Sequence, residues 1–321
     1  MKDTDYSFAV ARVRVNETRL LQNAELGALI AAPSYAECAR RLKEKGYEIG
    51  GTDYAPALEK KLADAWALLE EILPDPAQFN SVLIRNDFHN LKVSLKALVA
   101  EKPTEGLFMF PSVYDPEEVK RRVFSRENEK LPAELRHADR SAYNILTKTG
   151  FAQLADTVID RAALEHVIAW AEKADHPVMR RFAQRNAALT NIKALYRCIL
   201  TGKAASFMER AVCACDGVSK AEIIAAAEEG MPAFLEFLSH TAFAPGAEAL
   251  KESMTAYETW ADNELMRSLL PGKSEAFGIG ALVGYYFAVR TEVLNVRVLL
   301  SGKLNGLPAD SIRERMRLLY V

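Results

Sequence analysis

The chain has 321 residues, half of them hydrophobic and about a quarter charged, which suffices for two or three folded domains with a sizeable core. A formal net charge of −2 gives no electrostatic footprint for nucleic acid or an anionic lipid surface. No apolar run approaches the roughly 18 residues of a membrane span, and Met1-Lys2-Asp3-Thr4-Asp5-Tyr6 contains no apolar signal region, so work at a membrane would require docking through a partner.

In chain order, residues 6–30 read as one helix, with Ala9, Val13, Leu20 and Leu21 apolar and Arg12, Arg14, Glu17 and Arg19 polar. Ser34 is placed as an N-cap, with Glu37 as its capping-box partner, for a short helix over 35–45 that Gly46 stops. A helix hairpin follows. Its first arm covers about 54–73, Pro74-Asp75-Pro76 closes it, and the second arm covers about 77–100 with Ile84, Phe88, Leu91, Leu95 and Leu98 along one face. Residues 101–116 are dense in turn signals and mark a boundary, after which Asp115-Pro116-Glu117-Glu118 begins a new helical region running to about 173 with breaks near Pro132 and Gly150. Asp175-His176-Pro177 is the next corner, followed by a helix over 178–201. Short helices then cover roughly 206–215, 219–229 and 231–239. Long ones cover 247–270 and 274–301, and a last helix covers 309–319. Strand alternation is absent, so the fold class is all-α.

One stretch recurs. Arg85-Asn86-Asp87-Phe88-His89-Asn90-Leu91-Lys92 has weaker copies at 185–193 and 290–297, and the asparagines Asn90, Asn191 and Asn295 stand 101 and then 104 residues apart. With those asparagines in register, Phe88, Leu189 and Val293 coincide, as do Leu91, Ile192 and Val296, then Leu95, Tyr196 and Leu300, all on one helix face. Lys92, Lys193 and Arg297 form a basic column. Asp87 and Glu292 form an acidic one that fails at Ala188. Near-constant spacing of one small domain's length predicts internal triplication, with domains at 1–108, 109–204 and 205–321. An asparagine inside a helix is unfavourable unless its side chain finds a partner, so each is expected to hydrogen-bond a neighbouring helix or loop.

The polar residues yield no catalytic constellation. Gly272-Lys273-Ser274 ends like a phosphate loop but lacks the earlier glycine and the preceding strand. Gly202-Lys203 and Gly302-Lys303 read as helix C-caps with a lysine near the negative dipole end. The five histidines form no metal-ligand pair, and the four cysteines, Cys38, Cys198, Cys213 and Cys215, have no zinc spacing and read as reduced thiols. Asp87 and Asn90 share a face that could hold Mg²⁺, but a salt bridge from Asp87 to Lys or Arg is the simpler expectation. No cofactor is expected. Two other readings stay open: an all-α metal-dependent enzyme using Asp87, Asn90 and Glu292, and a generic helical-repeat scaffold.

The stretch from Asp75-Pro76 through Arg85-Asn86-Asp87-Phe88-His89-Asn90-Leu91-Lys92 resembles the [LR]-x-D-x-x-N-[LI]-K signature of the C subunits of prokaryotic V-type (A/V-type) ATPases, whose eukaryotic counterpart is the d subunit. Residues 8–14 and 26–37 are similar to other parts of that family, and Asn191-Ile192-Lys193 and Asn295-Val296-Arg297 to its later repeats. The resemblance implies a non-catalytic coupling protein: three similar helical domains forming a funnel around a pseudo-three-fold axis. Its implied partners are a shaft of D and F subunits and a membrane ring of proteolipid subunits. It also implies a cytoplasmic, peripheral location at the plasma membrane and torque transmission for H⁺ or Na⁺ transport. On that reading Arg85, Asp87, Asn90, Lys92, Asn191, Lys193, Glu292, Asn295 and Arg297 are structural repeat signatures.

Overall fold

A computed structural model describes residues 3–321, with side chains from Asp5 onward; Met1 and Lys2 of the N-terminal segment lie outside it. Among the described residues there are helices and two isolated bridges, Gly50 with Asp53 and Cys215 with Val218, but no strand. None of the described helices is long and apolar enough to cross a membrane.

The first expected helix is two. α1 (Ser7–Glu17) stops at Thr18, and α2 (Asn23–Ala31) starts afresh behind Gln22 and Glu25, which form a reciprocal capping box. The break follows from a buried contact: the Leu21 N–H donates to the Glu292 carboxylate at 2.6 Å, which pulls the backbone out of helical register. α3 (Tyr35–Glu44) begins at Ser34, whose Oγ accepts the Glu37 N–H as expected, and Gly46 adopts φ of 86° at its end. α4 (Ala55–Ile72) and α5 (Asn80–Ala100) match the expected arms; α4 packs on α1 and the later α15, and α5 packs on α6, α7 and α8.

α6 (Pro116–Phe124), α7 (Ala133–Thr149), α8 (Ala152–Ala174) and α9 (Pro177–Leu200) follow at the expected places, with Asp115 capping α6 and Gly150 closing α7 in the left-handed region. α10 (Ala205–Ala211), α11 (Lys220–Glu228) and α12 (Met231–Ser239) are short, and α10 stops well before the expected Cys215. The supposed helix 247–270 is α13 (Ala244–Glu252) and α14 (Met254–Leu269), because the Ser253 hydroxyl accepts the Ala256 N–H and starts a second helix. α15 (Ile279–Leu304) runs through Gly302, and α16 (Ala309–Arg313) is shorter than the pattern predicts, since the residues after it are held by Asn295 and Asn263 instead.

The chain forms two compact units, Met1–Pro76 with Pro245–Val321, and Ala77–Ala244. The first is organised around α15, buried on all sides from Ile279 to Val289 and flanked by α1, α3, α4 and α14. Its sequence there is apolar around the whole helix, the pattern of a fully enclosed helix. Trp66 on α4 meets Tyr286 edge-on at 6.4 Å. The second is built on α5, α8 and α9, with Lys92 and Lys96 of α5 paired to Asp160 and Asp156 of α8.

One glycine–lysine pair, Gly302-Lys303, departs from the helix C-cap that its sequence suggests. Gly302 lies inside α15, where a Cβ would come within 2.7 Å of Ile312, so it permits close packing of α16. Lys303 donates to the Ile30 and Ala32 carbonyls at 2.7 and 2.6 Å, closing the C-terminus of α2 rather than of its own helix. Gly272-Lys273-Ser274 belongs to a 3₁₀ turn in which Gly272 packs against the Gly280 backbone, with no phosphate-loop geometry.

Candidate interaction site: three asparagine clamps

Each long helix carrying the repeated stretch projects its asparagine into a following non-helical segment. Asn90 Oδ1 accepts the Met109 N–H at 2.8 Å while its Nδ2 donates to the Met109 carbonyl at 3.0 Å. Asn191 treats Cys213 the same way, at 3.2 and 2.8 Å. Asn295 does so with Arg317, at 2.7 and 2.9 Å. A carboxamide presents an uncharged acceptor and donor side by side, so it pairs with both polar groups of one backbone residue. All three asparagines are buried, which makes the pairing obligatory: an unpaired amide there would lose its hydration with nothing in return.

The acidic column grips the backbone as well. Asp87 is buried and its two carboxylate oxygens accept the N–H groups of Val113 and Tyr114 at 3.0 and 2.9 Å. Its partners are backbone amides, not the lysine or arginine the sequence suggests. Burial pushes the Asp87 carboxyl up to about 6, against the lowering effect of those two amides. Glu292 accepts the Leu21 N–H and, at 2.7 Å, the Tyr47 hydroxyl, with Lys61 3.8 Å away. Burial, chiefly, and the Glu292 carboxylate push the Tyr47 phenol far up, so it acts as a neutral donor.

These contacts have a common placement. Asp87 on α5 holds the approach to α6, and Glu292 on α15 holds the approach to α2. α9 has Ala188 in that column. One turn earlier, Gln184 Oε1 accepts the Asp216 N–H at 2.9 Å, just before α11. Gln184 escapes the column alignment because it occupies a different position, although its contact is of the same kind.

The basic column behaves unevenly. Lys92 pairs with Asp160, Lys193 is half-buried, and Arg297 is exposed. Arg85 Nη1 donates to Asn186 Oδ1 at 3.2 Å, joining α5 to α9. Asn186 is the residue that aligns with Arg85 when the asparagines are in register. Asn86 and His89, part of the repeated stretch yet unassigned from sequence, contact the Pro111 and Leu107 carbonyls at 2.7 and 3.2 Å. Asp87, Asn90 and Glu292, the metal-site alternative, have their oxygens engaged by amide or hydroxyl donors, and no group of three metal-ligating side chains occurs among the described residues.

Among the described residues the chain is helical without strands, and its repeated asparagines and Asp87 are engaged by its own backbone. The profile of the ATP synthase (C/AC39) subunit family matches residues 9–315, and the chain belongs to that family. It is similar to the C subunit of the V-type sodium ATPase of Enterococcus hirae, 25% identical over 275 residues, covering 84% of this chain and 83% of that one. It is also similar to the C subunit of the A-type ATP synthase of Methanocaldococcus jannaschii, at 26% identity over 96% of this chain and 85% of that one. The C subunit of the V-type ATP synthase of Thermus thermophilus shares 24% over 97% and 98% of the respective chains. The family is that of a rotary ATPase subunit.

Proposed function

We propose that this chain is the non-catalytic central-stalk coupling subunit of a V-type ATPase or ATP synthase. On this reading it forms a socket that joins a shaft of D and F subunits to the membrane ring of proteolipid subunits and passes torque between them for H⁺ or Na⁺ transport. It would sit on the cytoplasmic face of the plasma membrane, held there through the ring. Three similar helical domains, 1–108, 109–204 and 205–321, would surround a pseudo-three-fold axis as a funnel, with the clamp residues and their basic neighbours as the mark of each repeat.

The observation that supports this reading most directly is the clamp made three times, at Met109, Cys213 and Arg317, by asparagines in register. A second is that α15 stands to α4 and α2 as α5 stands to α8 and α6, the relation expected when the last repeat closes on the first. A torque-bearing adaptor needs stiff packing and many distributed contacts, and each clamp fixes a connecting segment to a long helix.

The test is binding without catalysis. The purified chain is expected to bind a D–F shaft complex in a pull-down and by calorimetry, and to hydrolyse no ATP by itself. Failure to bind either the shaft or the detergent-solubilised ring under gentle conditions would remove the proposal.

A further inference from the structure

The segment 107–114 is fixed unusually completely. Four neighbouring α5 side chains hold its backbone: His89 at the Leu107 carbonyl, Asn90 at both polar groups of Met109, Asn86 at the Pro111 carbonyl, and Asp87 at the Val113 and Tyr114 amides. With the backbone turned to α5, the side chains Leu107, Met109 and Phe110 point outward and are 54, 47 and 67% exposed. The other two clamps display nothing comparable, since Cys213 is buried and Arg317 folds onto Asp262. The apolar display is therefore not a by-product of the clamp.

We propose that Leu107, Met109 and Phe110 form a pre-ordered anchor that inserts into an apolar, Lys/Arg-rimmed groove on one other component of the same ATPase complex. The proposal rests on the adaptor reading above and names the surface it uses. A fixed backbone carrying an exposed phenylalanine suits an interface anchor, because little side-chain and loop freedom remains to be lost on binding. The charges choose the rim. Glu101, Glu105 and Asp115 are exposed on this connection, against Lys102 as its cation. That excess of carboxylate repels an anionic lipid surface and complements a basic one.

The experiment measures the affinity of the full chain for the purified shaft complex and, separately, for the solubilised ring. Phe110→Ser and Leu107→Asn are compared with Phe8→Ser, a control on α1, where Phe8 is 65% exposed. Thermal denaturation establishes that each variant is folded. Phe110→Ser and Leu107→Asn are expected to weaken binding to one of the two partners at least tenfold and to leave the other within twofold, with Phe8→Ser inert toward the affected partner. Glu105→Lys is expected to weaken the same partner at low salt, with the difference vanishing at high salt. Unchanged binding to both partners, or equal weakening toward both, overturns the anchor while the adaptor reading stands. A wild type that binds neither partner overturns both. Co-sedimentation with phosphatidylglycerol vesicles that Phe110→Ser abolishes would replace the protein groove with a membrane and overturn the proposal.

Discussion

Asn295 illustrates what a single polar residue can decide. Its carboxamide satisfies both polar groups of Arg317. Asn295→Ala removes two hydrogen bonds at a buried site and leaves a backbone donor and acceptor without partners, a loss of about 2–4 kcal/mol. Asn295→Asp keeps the acceptor but loses the donor to the Arg317 carbonyl, and is expected to be destabilised as well. Urea denaturation of both variants checks this, and loss of under about 0.5 kcal/mol in Asn295→Ala would mean that water substitutes freely. Asp87 makes a pH-dependent prediction. Its folded carboxyl is raised from 3.8 to about 6, so between those values the folded chain holds a proton that the unfolded chain has released. Stability relative to Asp87→Asn is therefore greatest in acid and falls as pH rises through that window, by at most about 3 kcal/mol. Melting temperatures of both proteins on either side of the window and within it provide the check, and a gap that widens in favour of wild type with rising pH would contradict it.

At the scale of elements, the ends of helices and their crossings are the sensitive points. α5 closes at Glu101 with φ of 53°, a left-handed conformation that costs an L-residue about 1 kcal/mol and a glycine almost nothing. Glu101→Gly is expected to stabilise the chain by about 0.5 kcal/mol once the extra freedom of the unfolded glycine is subtracted. Gly272 and Gly302 give a paired comparison. A Cβ at Gly272 would sit 2.8 Å from the Gly280 carbonyl oxygen, and one at Gly302 would sit 2.7 Å from a side-chain carbon of Ile312. Backbone has nowhere to go, whereas isoleucine can rotate. Gly272→Ala should cost about 1–3 kcal/mol, and Gly302→Ala distinctly less. Denaturant midpoints of the two variants rank them, and the reverse order would show that the 3₁₀ turn around Gly272 shifts more readily than α16. Helical periodicity conceals the breaks at Thr18–Gln22 and Ser253 because each is set by a contact or cap that competes with an otherwise helical pattern.

For the whole molecule, the all-helical class, most of the long helices and the register of the three asparagines were legible in the residues alone. Periodicity and proline corners report local preference, and an interior asparagine at near-constant spacing is a local misfit that repeats. The targets of those asparagines were not legible, because Met109, Cys213 and Arg317 share no residue type: the clamp reads backbone, and backbone leaves no mark in sequence. The role of Glu292 was hidden for the same reason, its partners Leu21 and Tyr47 lying 271 and 245 residues away. Gln184 was hidden because a turn's displacement along α9 preserves its reach while moving it out of the column. Composition, repeat spacing and motif thus determined by themselves that this chain is all-helical and resembles a component of a rotary ATPase. Only the tertiary structure decided what each repeated side chain holds and that Leu107, Met109 and Phe110 are left facing outward. The physical reason is that hydrogen bonds to backbone, and the exposure of a clamped loop, depend on distances that no local pattern encodes.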